Sequence, residues 1–266
     1  PCNPGMFRSM YFNCLGKNDL IIGISQSGET KDLVDIFQDV KKANNSVRLV
    51  SIVNNENSRI PQELSDFYLP LLCGPEIAVA ATKSFTSQIA VLYLLAASFS
   101  MPEHRIRENL LKAKDLMIET IETRMGDIES VAAHLFTASS IHILGTGLIG
   151  LAKEGALKIR EVVLNHTEGY DAAEFKHGPN TILGRNTLLS LADLEKLVGA
   201  EPLTAITNDL FEKLSHNYPL IFICPPEERD RRITVSQIHT HKIRGADIVL
   251  IAEPSQELAL AVEGAP

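Results

Sequence analysis

The stretch Leu20-Ile21-Ile22-Gly23-Ile24-Ser25-Gln26-Ser27-Gly28-Glu29-Thr30 most narrows what this chain can become. An apolar run stops at hydroxyl side chains and a glycine, and Leu33, Val34, Ile36, Phe37 and Val40 then recur at helical spacing. The pattern predicts strand, tight loop and helix. In open α/β sheets that loop lies at the carboxyl end of a strand, where ligands bind. Free N–H groups and the positive end of the helix dipole point into it. Ser25, Ser27 and Thr30 add donors, and Gly28 lets a ligand approach the backbone. These are the parts of a phosphate cradle. They also suit an ordinary capped helix start, so the motif alone leaves both open. No Lys follows the glycine as a nucleoside-triphosphate P-loop requires.

Val47 to Val53 and Phe67 to Leu72 read as further strands, and Glu76 to Ser98 as a long helix, apolar on most sides and expected to be buried. Glu76, Thr82, Lys83, Ser84 and Thr86 fall in its first turns, facing a ligand, another chain or solvent. His104 to Arg124 is an amphipathic connector, Met125-Gly126 a candidate boundary, and Asp127 to Ala138 another helix. A strand from Ser140 to Leu144 ends in Gly145-Thr146-Gly147-Leu148-Ile149-Gly150, a literal G-x-G-x-x-G. A dinucleotide site would need a following strand ending in an acid. Asn165 to Tyr170 does not read as a strand, which disfavours nicotinamide binding. Between the two segments Glu154, Lys158 and Glu161 share one helix face. Such an acid–amine–acid set could move protons at a sugar carbonyl, or be a solvated salt-bridge stripe. His177 stands at a Gly-Pro turn, with a pKa range near neutrality. His239 and His241 are expected on a surface helix rather than at a metal.

A strand at Leu220 to Cys224 and another from Asp247 to Ile251 repeat the interval between Leu20 and Val47, 27 residues in both cases. The echo favours two similar domains, 1–125 and 126–266. Only the first copy suits an anion. The second loop, Cys224-Pro225-Pro226-Glu227-Glu228, has two residues without N–H groups and two carboxylates. The net charge of −8 argues against nucleic acid or an anionic membrane as partner. The four cysteines show no paired or metal-ligand spacing and fit a reducing, cytoplasmic setting.

Four motifs taken in order carry a resemblance: Ser25 to Thr30, Glu76 to Thr86, Glu154 to Glu161 and Glu174-Phe175-Lys176-His177-Gly178-Pro179. Together they resemble the isomerase half of the glutamine–fructose-6-phosphate aminotransferase family, built of two SIS (sugar isomerase) domains. The resemblance implies an α/β fold of two doubly wound SIS-type domains, each a parallel sheet between helices in three layers, the first truncated at its N-terminus. It implies fructose 6-phosphate and glucosamine 6-phosphate as ligands, no cofactor and no metal, and a homodimer. Ser25, Gln26, Ser27 and Thr30 would hold the phosphate, and Val79 would meet the sugar through its backbone, with Glu76 and Glu154 also at the sugar. Glu161 would move the proton between C1 and C2, Lys158 would assist, and His177 from the neighbouring subunit would help open the ring.

The chain departs from the family in four places. No Thr-Ser strand precedes Pro1, and Ala81 stands where a Ser is frequent. The last lysine is Lys242, inside a predicted helix rather than in a Schiff-base-forming tail. The glutaminase half, a further expected partner, has no counterpart, and Cys2 follows Pro1. A non-catalytic phosphosugar-binding regulatory module and an amino-sugar-phosphate deaminase or deglycase are the alternative readings.

Overall fold

In the computed structural model, residues 1–43, 46–186, 196 and 216–263 are described. The chain divides into two compact units, Pro1–Glu122 and Thr123–Pro266.

The first unit opens with a helical turn α1 (Pro4–Met6) and irregular turns. Strand β1 (Leu20–Ser25), helix α2 (Lys31–Ala43), β2 (Arg48–Val53) and β3 (Phe67–Pro70) follow. The three strands form a parallel sheet in the order β1-β2-β3. Helix α2 buries Val34, Ile36, Phe37 and Val40 against Val47, Leu49, Ile60 and Leu64. Gly23 makes that packing possible: a Cβ there would lie 2.7 Å from the Phe37 ring and 3.0 Å from Leu33. Leu20, Ile22 and Ile24, alternate residues of β1, remain exposed.

Helix α3 (Lys83–Ala97) starts seven residues later than the apolar pattern predicts. Residues 71–82 are irregular, and Leu72 and Gly74 take left-handed backbone angles, φ 54° and 71°. These residues lie just before the predicted start; within 76–82 the Glu76 side chain folds back to accept the Thr82 and Ser84 N–H groups, so it caps the helix from outside instead of forming its first turn. The expected burial is also corrected. Helix α3 buries Ser84 and Ala97, while Ile89, Leu92 and Leu94 stay exposed. Apolarity on all sides leaves the orientation of a helix open, and among the described residues these side chains stay uncovered. The predicted break at Met125-Gly126 is absent. Helix α4 (Glu103–Leu135) passes through it without interruption. One interior glycine costs a helix about 1 kcal/mol, too little to end it without a proline or a cap.

The second unit holds β4 (Ser140–Gly145), α5 (Ile149–Val163), β5 (His166–Asp171), a two-residue β6 (Arg185–Asn186), β7 (His216–Ile223), α6 (Glu228–Lys242), β8 (Ala246–Ile251) and α7 (Gln256–Val262). Its parallel strands run β5-β4-β7-β8, and β6 pairs antiparallel with β7. Strand β5 corrects the reading of Asn165 to Tyr170 as no strand: Ser140 pairs with His166 and Gly145 with Asp171. Its sequence lacks the β-branched run that marks a strand, and tertiary packing decides instead. A Cβ at Gly169 would sit 2.4 Å from the Lys153 nitrogen, so β5 lies directly against the α5 backbone. His241 is corrected as well. It is fully buried in α6, whereas His239 is exposed.

The echo is present in the ladders. Leu20 pairs with Arg48 and Leu220 with Ile248, 28 positions on in each unit. Both units are therefore α/β structures with parallel strands and crossover helices, as expected from the sequence. No helix among the described residues is long and apolar enough to cross a membrane.

Candidate functional site

The first group of candidate residues lies in the β1–α2 loop. Ser25 is buried at the end of β1, Gln26 is half-buried, and Ser27 and Thr30 are exposed. The Ser25 hydroxyl lies 2.7 Å from Thr30 Oγ1 and accepts the Gly28 N–H at 3.0 Å. Ser27 Oγ accepts the Glu29 N–H at 3.1 Å. The Thr30 carbonyl accepts from Leu33 and Val34 N–H, closing the first turn of α2. The loop is thus curled on itself at a helix N-terminus, with hydroxyls on its rim, the arrangement an oxyanion uses. The Glu29 carboxylate points elsewhere, accepting the Arg59 N–H at 2.6 Å.

A second loop holds the first in shape. Gly28 has φ 67°, and a Cβ there would lie 1.8 Å from Ser58 Oγ. Its carbonyl accepts the Ile60 N–H at 3.1 Å, and the Gln26 carbonyl accepts the Asn54 N–H at 3.3 Å. The Asn54 side chain reaches the 71–82 segment, donating to the Gly74 carbonyl at 2.6 Å and accepting the Cys73 N–H at 3.4 Å. Sequence reasoning missed Asn54 and Ser58, although they lie in the polar run Asn54 to Ser58, which read only as a loop.

Val79 lies in this irregular segment with its side chain 91% exposed. Glu76 is not in a helix but caps one. Its carboxylate accepts the N–H groups of Ser84 at 3.0 Å and Thr82 at 3.3 Å. The Ser84 hydroxyl and those N–H groups, with Lys83 nearby, hold the Glu76 pKa below the usual carboxylate value, against a small burial cost.

The other candidates belong to the second unit. On α5, Ala152 and Ala156 pack onto Ile141 and Ile143 of β4. Another face of α5 presents Glu154, Lys158 and Glu161. Lys158 Nζ stands 2.7 Å from Glu161 and 3.4 Å from Glu154, and all three side chains are roughly a quarter exposed. Burial works against the ammonium, but the Glu161 hydrogen bond and both carboxylate charges outweigh it and raise the Lys158 pKa. Lys158 is therefore a fixed cation flanked by two acids.

His177 ends a short 3-10 turn, Glu174–His177, directly after β5, and is exposed. The turn begins where Asp171 accepts N–H bonds from Ala173 at 2.8 Å and Glu174 at 3.4 Å. This bears on the G-x-G-x-x-G motif, because β5 does end in an acid. The Asp171 carboxylate is engaged in the turn, however, and Gly145 serves local geometry, where a Cβ would lie 2.6 Å from the Leu148 carbonyl. Lys242 donates to the Ala261 carbonyl at 2.8 Å and to that of Glu263, tying down the end of α7. Among the described residues, no cluster of His, Cys, Asp and Glu could hold a metal.

The structure thus presents the candidates as separate groups: a curled loop with its support in the first unit, and in the second a charged ridge on α5 and a histidine turn after β5. Comparison with known proteins gives these groups a context. Residues 4–98 match the SIS domain family. A glutamine–fructose-6-phosphate aminotransferase (isomerizing) from Sulfurisphaera tokodaii is 40% identical over 182 residues, 67% of this chain and 30% of that protein. One from Aquifex aeolicus is 42% identical over 173 residues, 63% of this chain and 28% of that protein. The chain therefore matches less than a third of the length of these relatives. Among solved structures, the C-terminal domain of glucosamine–fructose-6-phosphate aminotransferase from Francisella tularensis superposes with TM-score 0.71 and 26% identity, covering 94% of this chain and 64% of that one. Over residues 4–98 the chain matches the SIS domain family; it is similar to part of the glutamine–fructose-6-phosphate aminotransferases and in fold to the C-terminal domain of the Francisella tularensis enzyme.

Proposed function

We propose that this chain is the isomerase part of a glutamine–fructose-6-phosphate aminotransferase, binding fructose 6-phosphate and interconverting ketose and aldose on the way to glucosamine 6-phosphate. The observation that carries the reading is the ridge on α5, where Lys158 is held between Glu161 at 2.7 Å and Glu154 at 3.4 Å. In this reading Ser25, Gln26, Ser27 and Thr30 bind the phosphate, whose binding energy fixes the orientation of the reacting carbons. Val79, Glu76 and Glu154 line the sugar. Glu161 takes the proton from C1 and returns it to C2 through an enediol, so no net charge or electron is lost. Lys158, kept cationic, stabilises the oxyanion that develops between them. His177 assists ring opening, acting from the neighbouring subunit of a homodimer. A glutaminase domain would supply ammonia for the amination.

Proton exchange tests this directly. The chain is incubated with fructose 6-phosphate in D2O, and deuterium entering at C1 and C2 is followed by NMR. Glu161→Gln is expected to slow exchange by about 10²–10⁴-fold while phosphosugar affinity is kept, the usual weight of a placed general base. Exchange at the unsubstituted rate in the variant rejects the assignment. Tight binding with no exchange in either protein favours a regulatory module instead.

A further inference from the structure

One face of the second sheet carries polar and aromatic side chains that the proposed chemistry leaves unused. Ser140 and His142 of β4, His166, Glu168 and Tyr170 of β5, and Tyr218 of β7 are alternate residues on neighbouring strands. The Tyr218 hydroxyl lies 2.7 Å from His142 Nδ1 and 2.7 Å from Ser140 Oγ. Ser140 Oγ lies 3.0 Å from His166 Nδ1, and Glu168 lies 3.8 Å from His142 Nε2. His142 and Tyr218 are both buried.

Above this network sits Phe175, the one buried residue of the Glu174–His177 turn. Its ring centroid lies 5.1 Å from that of His142 and 5.3 Å from that of His241, the latter edge-on at 79°. Tyr170 packs on it at 5.9 Å. These separations and tilts fall in the range in which aromatic pairs attract. Burial lowers the His142 pKa, with Glu168 opposing and His166 adding to the shift. Burial, helped by Arg244, lowers that of His241 to about 4. Phe222 packs on the His241 ring at 6.2 Å, and neither ring nitrogen of His241 has a hydrogen-bond partner among the described residues. At neutral pH both imidazoles are therefore neutral aromatic walls.

We propose that Phe175 is a positioning residue: clasped between His142 and His241, it fixes the Glu174–His177 turn and with it the place of His177. The role of His177 rests on the function proposed above; the clasp does not. His142 and His241 then act on the reaction only through Phe175.

Hydrogen exchange across residues 172–178, read by mass spectrometry on the whole chain, tests the clasp without needing activity. Phe175→Leu is expected to speed exchange in this segment about tenfold at pH 7, while Phe175→Tyr stays close to the unsubstituted chain. His142→Leu, which keeps the bulk and loses the imidazole, is expected to loosen the same segment and covers the case in which Phe175→Leu fails to fold. Turnover should follow: kcat for isomerisation falls about as much in Phe175→Leu, KM moves little, and Phe175→Tyr restores it. Unchanged exchange in folded Phe175→Leu or His142→Leu overturns the clasp. Loosened exchange in a chain without isomerase activity leaves the clasp standing and sinks only the functional reading.

Discussion

Gly28 shows how much of the candidate cradle is decided one side chain at a time. Its left-handed backbone and its contact with Ser58 are separate constraints. Gly28→Ala should therefore destabilise the first unit by more than the roughly 1–2 kcal/mol of left-handed strain alone. Adding Ser58→Gly should recover the steric part and leave the strain, a difference that urea denaturation of the single and double variants can read. Phosphosugar affinity should fall in both, because the loop must open to relieve the strain. Ser25, Ser27, Gly28 and Thr30 were legible in the sequence because strand, loop and cap signals are local. Asn54 and Ser58 were not, since their partners Gln26 and Gly28 are about thirty residues away and nothing in their own neighbourhood marks the contact. Glu76 was legible as a polar residue needing a partner, but the partner is the N-terminus of α3.

Among the elements, two glycines make opposite predictions. Gly126 lies inside α4 with open space where a Cβ would go, so Gly126→Ala should stabilise the chain by about 0.5–1 kcal/mol. Gly169 lies on β5 against the α5 backbone, so Gly169→Ala should cost about 1–3 kcal/mol or more and disturb α5, which carries the ridge. Thermal melting of the two variants should therefore shift in opposite directions. The sequence misled at both positions for one reason. It read Gly126 as punctuation and the Gly169 segment as no strand, whereas a glycine's meaning depends on what packs beside it. The strands at 20–25, 48–53, 140–145 and 246–251, and the helices α2 and α5, follow hydrophobic periodicity and were legible on that account.

For the whole molecule, acid sensitivity should come from the second unit. His241 titrates near 4 when folded and near 6.5 when unfolded, so the unfolded chain binds more protons between those values. Its contribution is complete above about pH 6.5, declines as pH falls and levels off below about 4, a loss on the order of 3 kcal/mol. His142 acts in the same direction. Urea midpoints measured from pH 7 to 4.5 should fall accordingly, and His241→Phe should flatten the slope. The paired architecture was legible from the 27-residue echo, but not how each copy divides its length. In the first unit, β1 ends at Ser25 and α2 begins at Lys31; in the second, β7 ends at Ile223 and α6 begins at Glu228. The second copy gives one residue fewer to the turn and one fewer to the stretch before the next strand, and its helix is longer by those two, 15 residues against 13. With that shorter span the chain enters α6 without the left-handed bend that Gly28 provides, and its prolines leave fewer amides to point inward. Grafting the hydroxyl residues of the first turn onto the second would therefore not make a second anion seat unless the missing residue were also inserted.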